Sequence, residues 1–176
     1  IDATRKSAAQ LLENRGFLED DIEGIWSARG DDYFLREQAE DIAWHTEAIA
    51  DHGESDEPLT LVRQSSESPV ANATQIFVHA KQIDNVFARV CSSLEVLDLS
   101  IHDARIKTGT DGETLDTLFV MRGDGRQNDG KAERFQQIAR EINKSLASKK
   151  DAQSQQRIAR TLRSFELPTD ISFSMD

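Results

Sequence analysis

The sequence TQIFVHAKQIDNVFARVCSSLEVLDLSIHDARIKTGTDGETLDTLFVM, residues 74–121, decides the fold because the spacing of its apolar residues changes twice. Across residues 74–80, β-branched and aromatic side chains alternate, which predicts a strand with Ile76 and Val78 on one face and Phe77 on the other. The next apolar residues are spaced by one, three and four positions, which predicts one stripe of a helix: Val86, Phe87, Val90, Cys91, Leu94 and Leu97.

The remainder of this stretch returns to an extended pattern. A second strand is predicted by four apolar residues: Leu99, Ile101, Ala104 and Ile106. The register of this strand changes parity at His102 and Asp103, so we expect a β-bulge there. Asp111-Gly112 is favoured by a type I′ turn, and residues 113–121 run back as the partner strand. The order strand, helix, strand, strand is the first part of a split β-α-β sandwich.

The chain also supplies the helix and the strand that complete such a sandwich. A second helix is predicted by another apolar stripe: Phe135, Ile138, Ala139, Ile142 and Leu146. The alternating residues 170–174 predict a fourth strand, which follows a short amphipathic helix at residues 158–165. We therefore predict an α+β fold. It is a ferredoxin-like βαββαβ domain, whose four-stranded antiparallel sheet carries helices on one face, preceded by a short all-helical segment.

Residues 1–52 are predicted to form this helical segment. A first helix is expected to end at Gly16, a second to be capped by Asp20 or Asp21, and a third to cover residues 38–52.

Residues 53–73 are rich in Ser, Glu, Asp, Asn and Pro, which is typical of a linker. The strand-like run Leu59–Val62 interrupts this linker, and we expect it to add an edge strand. The sandwich domain then covers residues 74–176.

The composition limits the partners and the compartment. A net charge of −11 over 176 residues argues against nucleic acid and against an anionic membrane surface. The single cysteine, Cys91, cannot form an internal disulfide, and its place on an apolar stripe indicates a small core residue in a reducing compartment. No apolar run approaches the length of a membrane span, so we expect a cytoplasmic protein. Because the chain begins with Ile1, we expect it to be a piece of a longer protein.

Two blocks of the sequence carry a family resemblance. They are Thr74-Gln75-Ile76-Phe77 with the strand Leu99–Ile106, and Asp111-Gly112 with Leu115–Val120. These blocks resemble the first ACT domain of the bifunctional PII uridylyltransferase/uridylyl-removing enzymes. Upstream, the residues Asp32–Arg36 and Asp41–His45 are similar to the helical stretch that joins this domain to the phosphohydrolase domain of that family.

The resemblance implies a regulatory fragment of such an enzyme. Its partners in the same chain would be the missing catalytic domains and a second ACT domain, and the full-length enzyme would act on PII. The region would contribute to glutamine-responsive control of PII uridylylation in nitrogen regulation. A purely structural or oligomerisation module without a ligand is the alternative.

Catalytic signatures of nucleotidyl transfer are absent from this sequence. It has no Gly-Ser dipeptide to cover a triphosphate and no Asp-x-Asp pair to hold magnesium. His102-Asp103 matches half of a phosphohydrolase signature, but it lies within a predicted strand without further histidines around it, so a hydrolase built on this pair is a weaker alternative. We expect this fragment to have no catalytic residues and no cofactor, with magnesium needed only by the missing catalytic domains.

Ligand sensing is the remaining chemistry that the resemblance implies. ACT domains bind amino acids where the loop after the first strand meets a strand from a neighbouring ACT domain. The free N–H groups of the helix start that follows this loop suit a carboxylate. The family loop reads Asp-Arg-Pro-Gly-Leu, and this chain has Gln82-Ile83-Asp84-Asn85-Val86 instead. Asp84 is expected to cap the helix and to repel a carboxylate. The ligand-binding candidates are Lys81, Gln82, Ile83, Asp84, Asn85, Val86, His102 and Asp103.

A homodimer through the ACT sheet is also expected. If helices cover one face only, then Phe77 and the apolar residues of one parity in 115–120 need a partner on the other face.

Overall fold

The computed structural model of this protein describes residues 1–65, 73–109, 112–124, 126 and 131–148. In these residues the helices are α1 (Asp2–Asn14), α2 (Glu19–Trp26), α3 (Asp31–Arg36), α4 (Ala39–His52), α5 (Val86–Val96) and α6 (Ala132–Ala147). The strands are β1 (Leu59–Gln64), β2 (Thr74–Lys81), β3 (Leu99–Thr108) and β4 (Glu113–Arg122). The helix predicted at 158–165 and the strand predicted at 170–174 lie outside the described residues.

The four strands form one antiparallel sheet in the order β1-β2-β4-β3, which confirms the predicted α+β class and sheet. β1 lies along one edge of β2, with Leu61 opposite Phe77, so the run within the linker does add an edge strand. β4 occupies the other edge of β2. β1 is therefore the fourth strand of the described sheet and precedes the first β-α-β unit, while the strand predicted at residues 170–174 is not tested.

Several local predictions are confirmed. The pairing of β3 with β4 shifts register between Ile101 and Asp103, as a bulge requires. Gly112, at the end of the β3–β4 hairpin, has φ of 80°, and Gly16, just after α1, has φ of 94°. Both values lie in the left-handed region that glycine adopts without steric cost. The other turn residue of the hairpin, Asp111, lies outside the described residues.

The helical segment differs from its prediction in two places. α2 begins at Glu19 after Leu18, so Asp20 and Asp21 lie in its first turn and favour the helix dipole instead of capping it. The short helix α3 was not predicted, because six residues are too few to give a clear apolar stripe. None of the helices in the described part of the chain has the length and apolar character that crossing a bilayer requires.

The first face of the sheet is covered by α5 and α6, as predicted. Ile76 and Val78 of β2 and Leu118 and Val120 of β4 point to this side and are fully buried. They pack in one cluster with residues from both helices: Val86, Val90, Leu94, Ile138, Ile142 and Leu146. The alternation of apolar residues along each strand and the helical stripes together form this core.

The second face of the sheet is covered by the chain's own helical segment. Phe77 is fully buried there, and its ring stacks on the imidazole of His45 with centroids 3.8 Å apart and planes at 11°. Phe119, on the same face, is also fully buried, and the guanidinium of Arg105 lies over its ring at 4.9 Å. The prediction that these aromatic residues need a second copy of the chain was wrong, because α4 and its neighbours already bury them.

His45 is fully buried in this interface. Its Nδ1 lies 2.9 Å from the hydroxyl oxygen of Tyr33. Burial, together with the nearby positive charges, lowers the pKa of His45 well below its usual value, so the ring is neutral. Behind it, the helical segment has its own apolar core, which contains Ala8, Leu12, Ile22, Trp26, Phe34, Ile42 and Ala43.

Charged and polar side chains near Phe77 and Phe119 connect the helical segment to the second face of the sheet. Glu37 accepts hydrogen bonds from Arg105 and from the hydroxyl of Thr117, both at 3.0 Å. Asp41 accepts a hydrogen bond from the amide of Gln75 at 2.9 Å and another from Arg63. Burial raises the pKa of Glu37 to about 7, although Arg105 and Thr117 act in the opposite direction.

Docking of the helical segment predicts a measurable coupling between Phe77 and His45. Replacing Phe77 with alanine should lower the free energy of unfolding by about 3–5 kcal/mol, because its buried ring leaves a cavity. In the Phe77→Ala/His45→Ala double variant, the loss should fall short of the sum of the single losses by about 0.5–1.5 kcal/mol, the usual worth of a stacked pair. Urea unfolding of the four proteins measures this cycle.

Val96→Ala is the matched control for this cycle. Val96 lies on α5 with 79% of its surface exposed, so the change should stay within about 0.5 kcal/mol. Strictly additive losses at Phe77 and His45 would contradict the stacked interface.

Glu37 predicts a dependence of stability on pH. Because its folded-state pKa lies above the ordinary 4.5, its contribution to folding is complete below pH 4.5 and is lost as the pH rises through about 7. Over this window the stability of the native protein should fall relative to that of Glu37→Gln by up to about 3 kcal/mol. Chemical unfolding at a series of pH values measures the difference, with Glu95→Gln, at an exposed position of α5, as control. If stability varies with pH in parallel for the native protein and Glu37→Gln, the raised pKa of Glu37 is contradicted.

Candidate ligand-binding site

A cavity of about 590 Å³ lies where β2 leads into α5. One wall is the loop from residue 82 to residue 85, and the first turn of α5 continues it. The opposite wall comes from the end of β3 and the start of β4. The residues that these two strands and the turn between them contribute are Ile106, Thr108, Gly112, Thr114 and Asp116.

The loop holds a left-handed backbone at two positions without using glycine. Gln82 has φ of 53° and Asn85 has φ of 56°. Asparagine tolerates this region better than most residues, and Asn85 stands where the family loop has its glycine. The N–H of Gln82 also donates a hydrogen bond to the carbonyl of Gly112 at 3.0 Å, which ties the loop to the β3–β4 hairpin. The loop therefore adopts two left-handed positions without glycine.

The start of α5 faces the cavity. The helix begins at Val86 after Asn85, so the prediction that Asp84 caps it was wrong. The Asn85 side chain makes no capping hydrogen bond, and the first turn contains no acidic residue. Val86, Phe87 and Ala88 line the cavity, and the N–H groups of a first helical turn have no partner within the helix. These donors and the helix dipole provide a place for an anionic group.

A buried carboxyl group lies in the same cavity. Asp116 is fully buried on β4, on the side of the sheet that packs against α5. Its Oδ1 accepts a hydrogen bond from the backbone N–H of Lys107 at 3.2 Å, whereas its Oδ2 has no hydrogen-bond partner among the described residues. Burial raises the pKa of Asp116 to about 7, although the hydrogen bond from Lys107 opposes this shift. Such a group is costly to bury unless something else pairs with it.

Cys91 lies on α5, close enough to Asp116 to be affected by its charge. Burial and the nearby Asp116 raise the pKa of the Cys91 thiol, so that the thiol stays protonated at neutral pH. Cys91 is half-buried and free, which fits the small core residue that the sequence predicts.

The structure brings together only part of the predicted ligand-binding set. Gln82, Ile83, Asp84, Asn85 and Val86 all line the cavity, and Lys81 immediately precedes them as a half-buried residue at the end of β2.

His102 and Asp103 do not reach the cavity. They are exposed at the bulge, toward the other end of β3, and Asp103 accepts a hydrogen bond from the N–H of Ala104 at 3.0 Å. Among the described residues, no three His, Cys, Asp or Glu side chains are grouped as metal ligands.

Asp116 is the site residue that sequence reasoning missed. It alternates with the same parity as Leu118 and Val120, whose side chains are buried on the face of the sheet that α5 and α6 cover. An aspartate at an inward position of an apolar strand is the signal that could have identified it, since a buried charge needs a reason.

A second, smaller cavity of about 340 Å³ lies between α5 and α6. Arg89 partly fills it and donates hydrogen bonds to the carbonyls of Ser145, at 3.2 Å, and Ser148. These bonds join the two helices, so we assign this cavity a structural role.

The N-terminal part of the chain matches a known family model. Residues 1–48 match the family described as Uridylyltransferase GlnD fifth domain. This range covers α1, α2, α3 and most of α4, which are the helices that dock on the sheet.

Named relatives align with the whole chain. The bifunctional uridylyltransferase/uridylyl-removing enzyme of Azotobacter vinelandii (strain DJ / ATCC BAA-1303) is 38% identical over 178 aligned positions. The proteins of the same name from Pseudomonas putida (strain GB-1) and Pseudomonas aeruginosa (strain LESB58) are 35% and 36% identical. Each alignment covers 100% of this chain and 20% of the relative.

No solved structure gives a significant match to this chain. The chain spans about a fifth of the length of the curated relatives that it matches. The resemblance noted from the sequence blocks is confirmed: over its entire length, this chain is homologous to one segment of the bifunctional uridylyltransferase/uridylyl-removing enzymes.

Proposed function

We propose that this segment is a regulatory region whose cavity at the start of α5 binds glutamine. The observation that carries the proposal is the cavity itself. It combines the start of α5, whose first N–H groups have no partner within the helix, with a buried carboxyl group at Asp116. An α-amino acid carries a carboxylate and an ammonium group. This cavity therefore suits an α-amino acid better than it suits a simple anion.

In the intact enzyme, the segment reports glutamine to the catalytic domains and takes no part in the chemistry. Glutamine binding shifts the balance between uridylylation and deuridylylation of PII, which requires different affinities for glutamine in the two states. The catalytic domains, their magnesium and a second ACT domain belong to other parts of the same chain, and the enzyme works in the cytoplasm. We infer these roles from the names of the relatives and from the family resemblance.

Calorimetric titration with L-glutamine tests this proposal. We expect saturable heat at millimolar ligand, and loss of that heat in Ala88→Asp, because a carboxylate in the first turn of α5 repels the ligand carboxylate. Ala3→Asp is the matched control, since it places the same charge in the first turn of α1, at an exposed position far from the cavity. A flat trace with the native chain, together with a stable dimer in sedimentation, would favour the purely structural module instead.

Asp84 gives a second test, which concerns the orientation of the ligand. Asp84 is exposed at the mouth of the cavity, close to the start of α5. If the ligand carboxylate lies at this helix start, Asp84→Asn should strengthen glutamine binding about two- to fivefold, because it removes a nearby like charge. The same titration measures the change in Kd. Weaker binding by Asp84→Asn would mean that Asp84 contacts the cationic end of the ligand.

A further inference from the structure

We infer that Asp116 is the residue that accepts the α-ammonium group of the amino acid in this cavity. The inference rests on the proposed function, since it assumes that an amino acid binds there. It adds a recognition residue outside the loop, on the opposite wall of the cavity.

The position of Asp116 supports this role. Its nearest partners in the sheet register are Val78 on β2 and Ile106 on β3, so apolar residues flank it on both sides. Only Oδ1 is satisfied, by the N–H of Lys107, and Asp116 is one of the residues that line the cavity. With Oδ2 lacking a partner in the described part of the chain, the carboxylate can accept a further hydrogen bond from inside the cavity.

A cation is the ligand group that matches such an acceptor. A carboxylate that is buried without a counter-charge is destabilised, and a hydrogen bond to an ammonium removes most of that cost. The start of α5 lines the same cavity, so one ligand with both charges can pair with its N–H groups and with Asp116. Uncharged donors such as a ligand hydroxyl or amide would leave the negative charge uncompensated.

Ionisable groups of the loop, α5, β3 and β4 lie in or beside the cavity that Asp116 lines. Asp84 belongs to the loop wall and Cys91 to α5, and the Cys91 thiol is neutral at physiological pH because its pKa is raised. On β3, Lys107 offers its backbone N–H, while its ammonium group lies 2.6 Å from both carboxylate oxygens of Asp32. Glu113, at the start of β4, is paired with Arg29 and His79.

Binding should therefore release a proton. Burial raises the pKa of Asp116 to about 7 in the empty cavity, so about half of the molecules carry the neutral carboxylic acid at that pH. The arriving ammonium group keeps its own proton and pairs with the carboxylate form. The O–H bond of Asp116 then breaks and its proton leaves for the solvent, with no change in oxidation state.

The experiment is calorimetry of the native chain, Asp116→Asn and Asp51→Asn. Each is titrated with the twenty common L-amino acids and with glutaramic acid, which is glutamine without its α-ammonium group. Asp51→Asn is the matched control because Asp51 is an exposed residue of α4. We expect Asp116→Asn to weaken glutamine binding by about ten- to a hundredfold at pH 8, and Asp51→Asn to leave it unchanged. Glutaramic acid should bind the native chain as weakly as glutamine binds Asp116→Asn.

The pH profile is the readout that a merely structural role would not affect. Glutamine affinity of the native chain should fall about tenfold from pH 8 to pH 6, because the carboxyl group must lose its proton to bind. The profile of Asp116→Asn should be flat. Titration of the native chain in buffers with different ionisation enthalpies should detect the released proton directly, and this measurement needs no variant.

The outcomes separate this inference from the proposed function. Equal glutamine binding by the native chain and Asp116→Asn, with no proton release, would overturn the role of Asp116 and leave glutamine sensing in place. Binding of another amino acid, but not glutamine, with the predicted dependence on Asp116 would support this inference and overturn the choice of glutamine. Absence of binding by every amino acid at millimolar concentration would overturn both.

Discussion

The stacking of His45 on Phe77 is the contact on which the rest of this structure depends. It buries the second face of the sheet, so that residues 73–80 are buried throughout and the sheet has helices on both sides. Without the helical segment, the rings of Phe77 and Phe119 would face water, and this loss of apolar burial would be unfavourable. The helical segment and the sheet are therefore held together by a shared interior, and the family boundary at residue 48 falls inside the last helix of that interior.

The sequence was sufficient for the elements of the sheet domain and insufficient for what covers it. Strand alternation at Ile76, Phe77 and Val78 separated the two faces correctly, because side-chain direction is a local property of a strand. The same alternation could not identify the occupant of the second face, since that contact joins residues 32 positions apart in the chain. Either a second copy of the chain or the chain's own helices could bury this apolar face, and only the three-dimensional structure shows which of them does. The run Leu59–Val62 was correctly predicted as an edge strand, but its pairing with β2 could not be predicted, because strand order depends on nonlocal pairing.

The candidate site was predicted in part for a related reason. The loop could be located from the sequence because it lies between a clear strand and a clear helix. Its backbone could not be predicted, because the sequence does not show that Gln82 and Asn85 adopt left-handed conformations, at φ of 53° and 56°. The burial of Asp116 comes from the packing of β4 beneath α5, and sequence alone shows only an aspartate in a strand.

The structure also contains contacts that connect the cavity to the helical segment. Lys107 contacts both, since its backbone N–H bonds to Asp116 and its ammonium group bonds to Asp32 of α3. The next residue along β4, Thr117, points to the other face and bonds to Glu37. A change in the charge or position of Asp116 therefore acts on a strand whose other side is held by the helices. Because the interface there is polar and contains Glu37 with its raised pKa, it is costly to maintain, and small changes in the sheet can alter its stability. An apolar interface at the same place would hold the helices more firmly and would respond less to the state of the cavity.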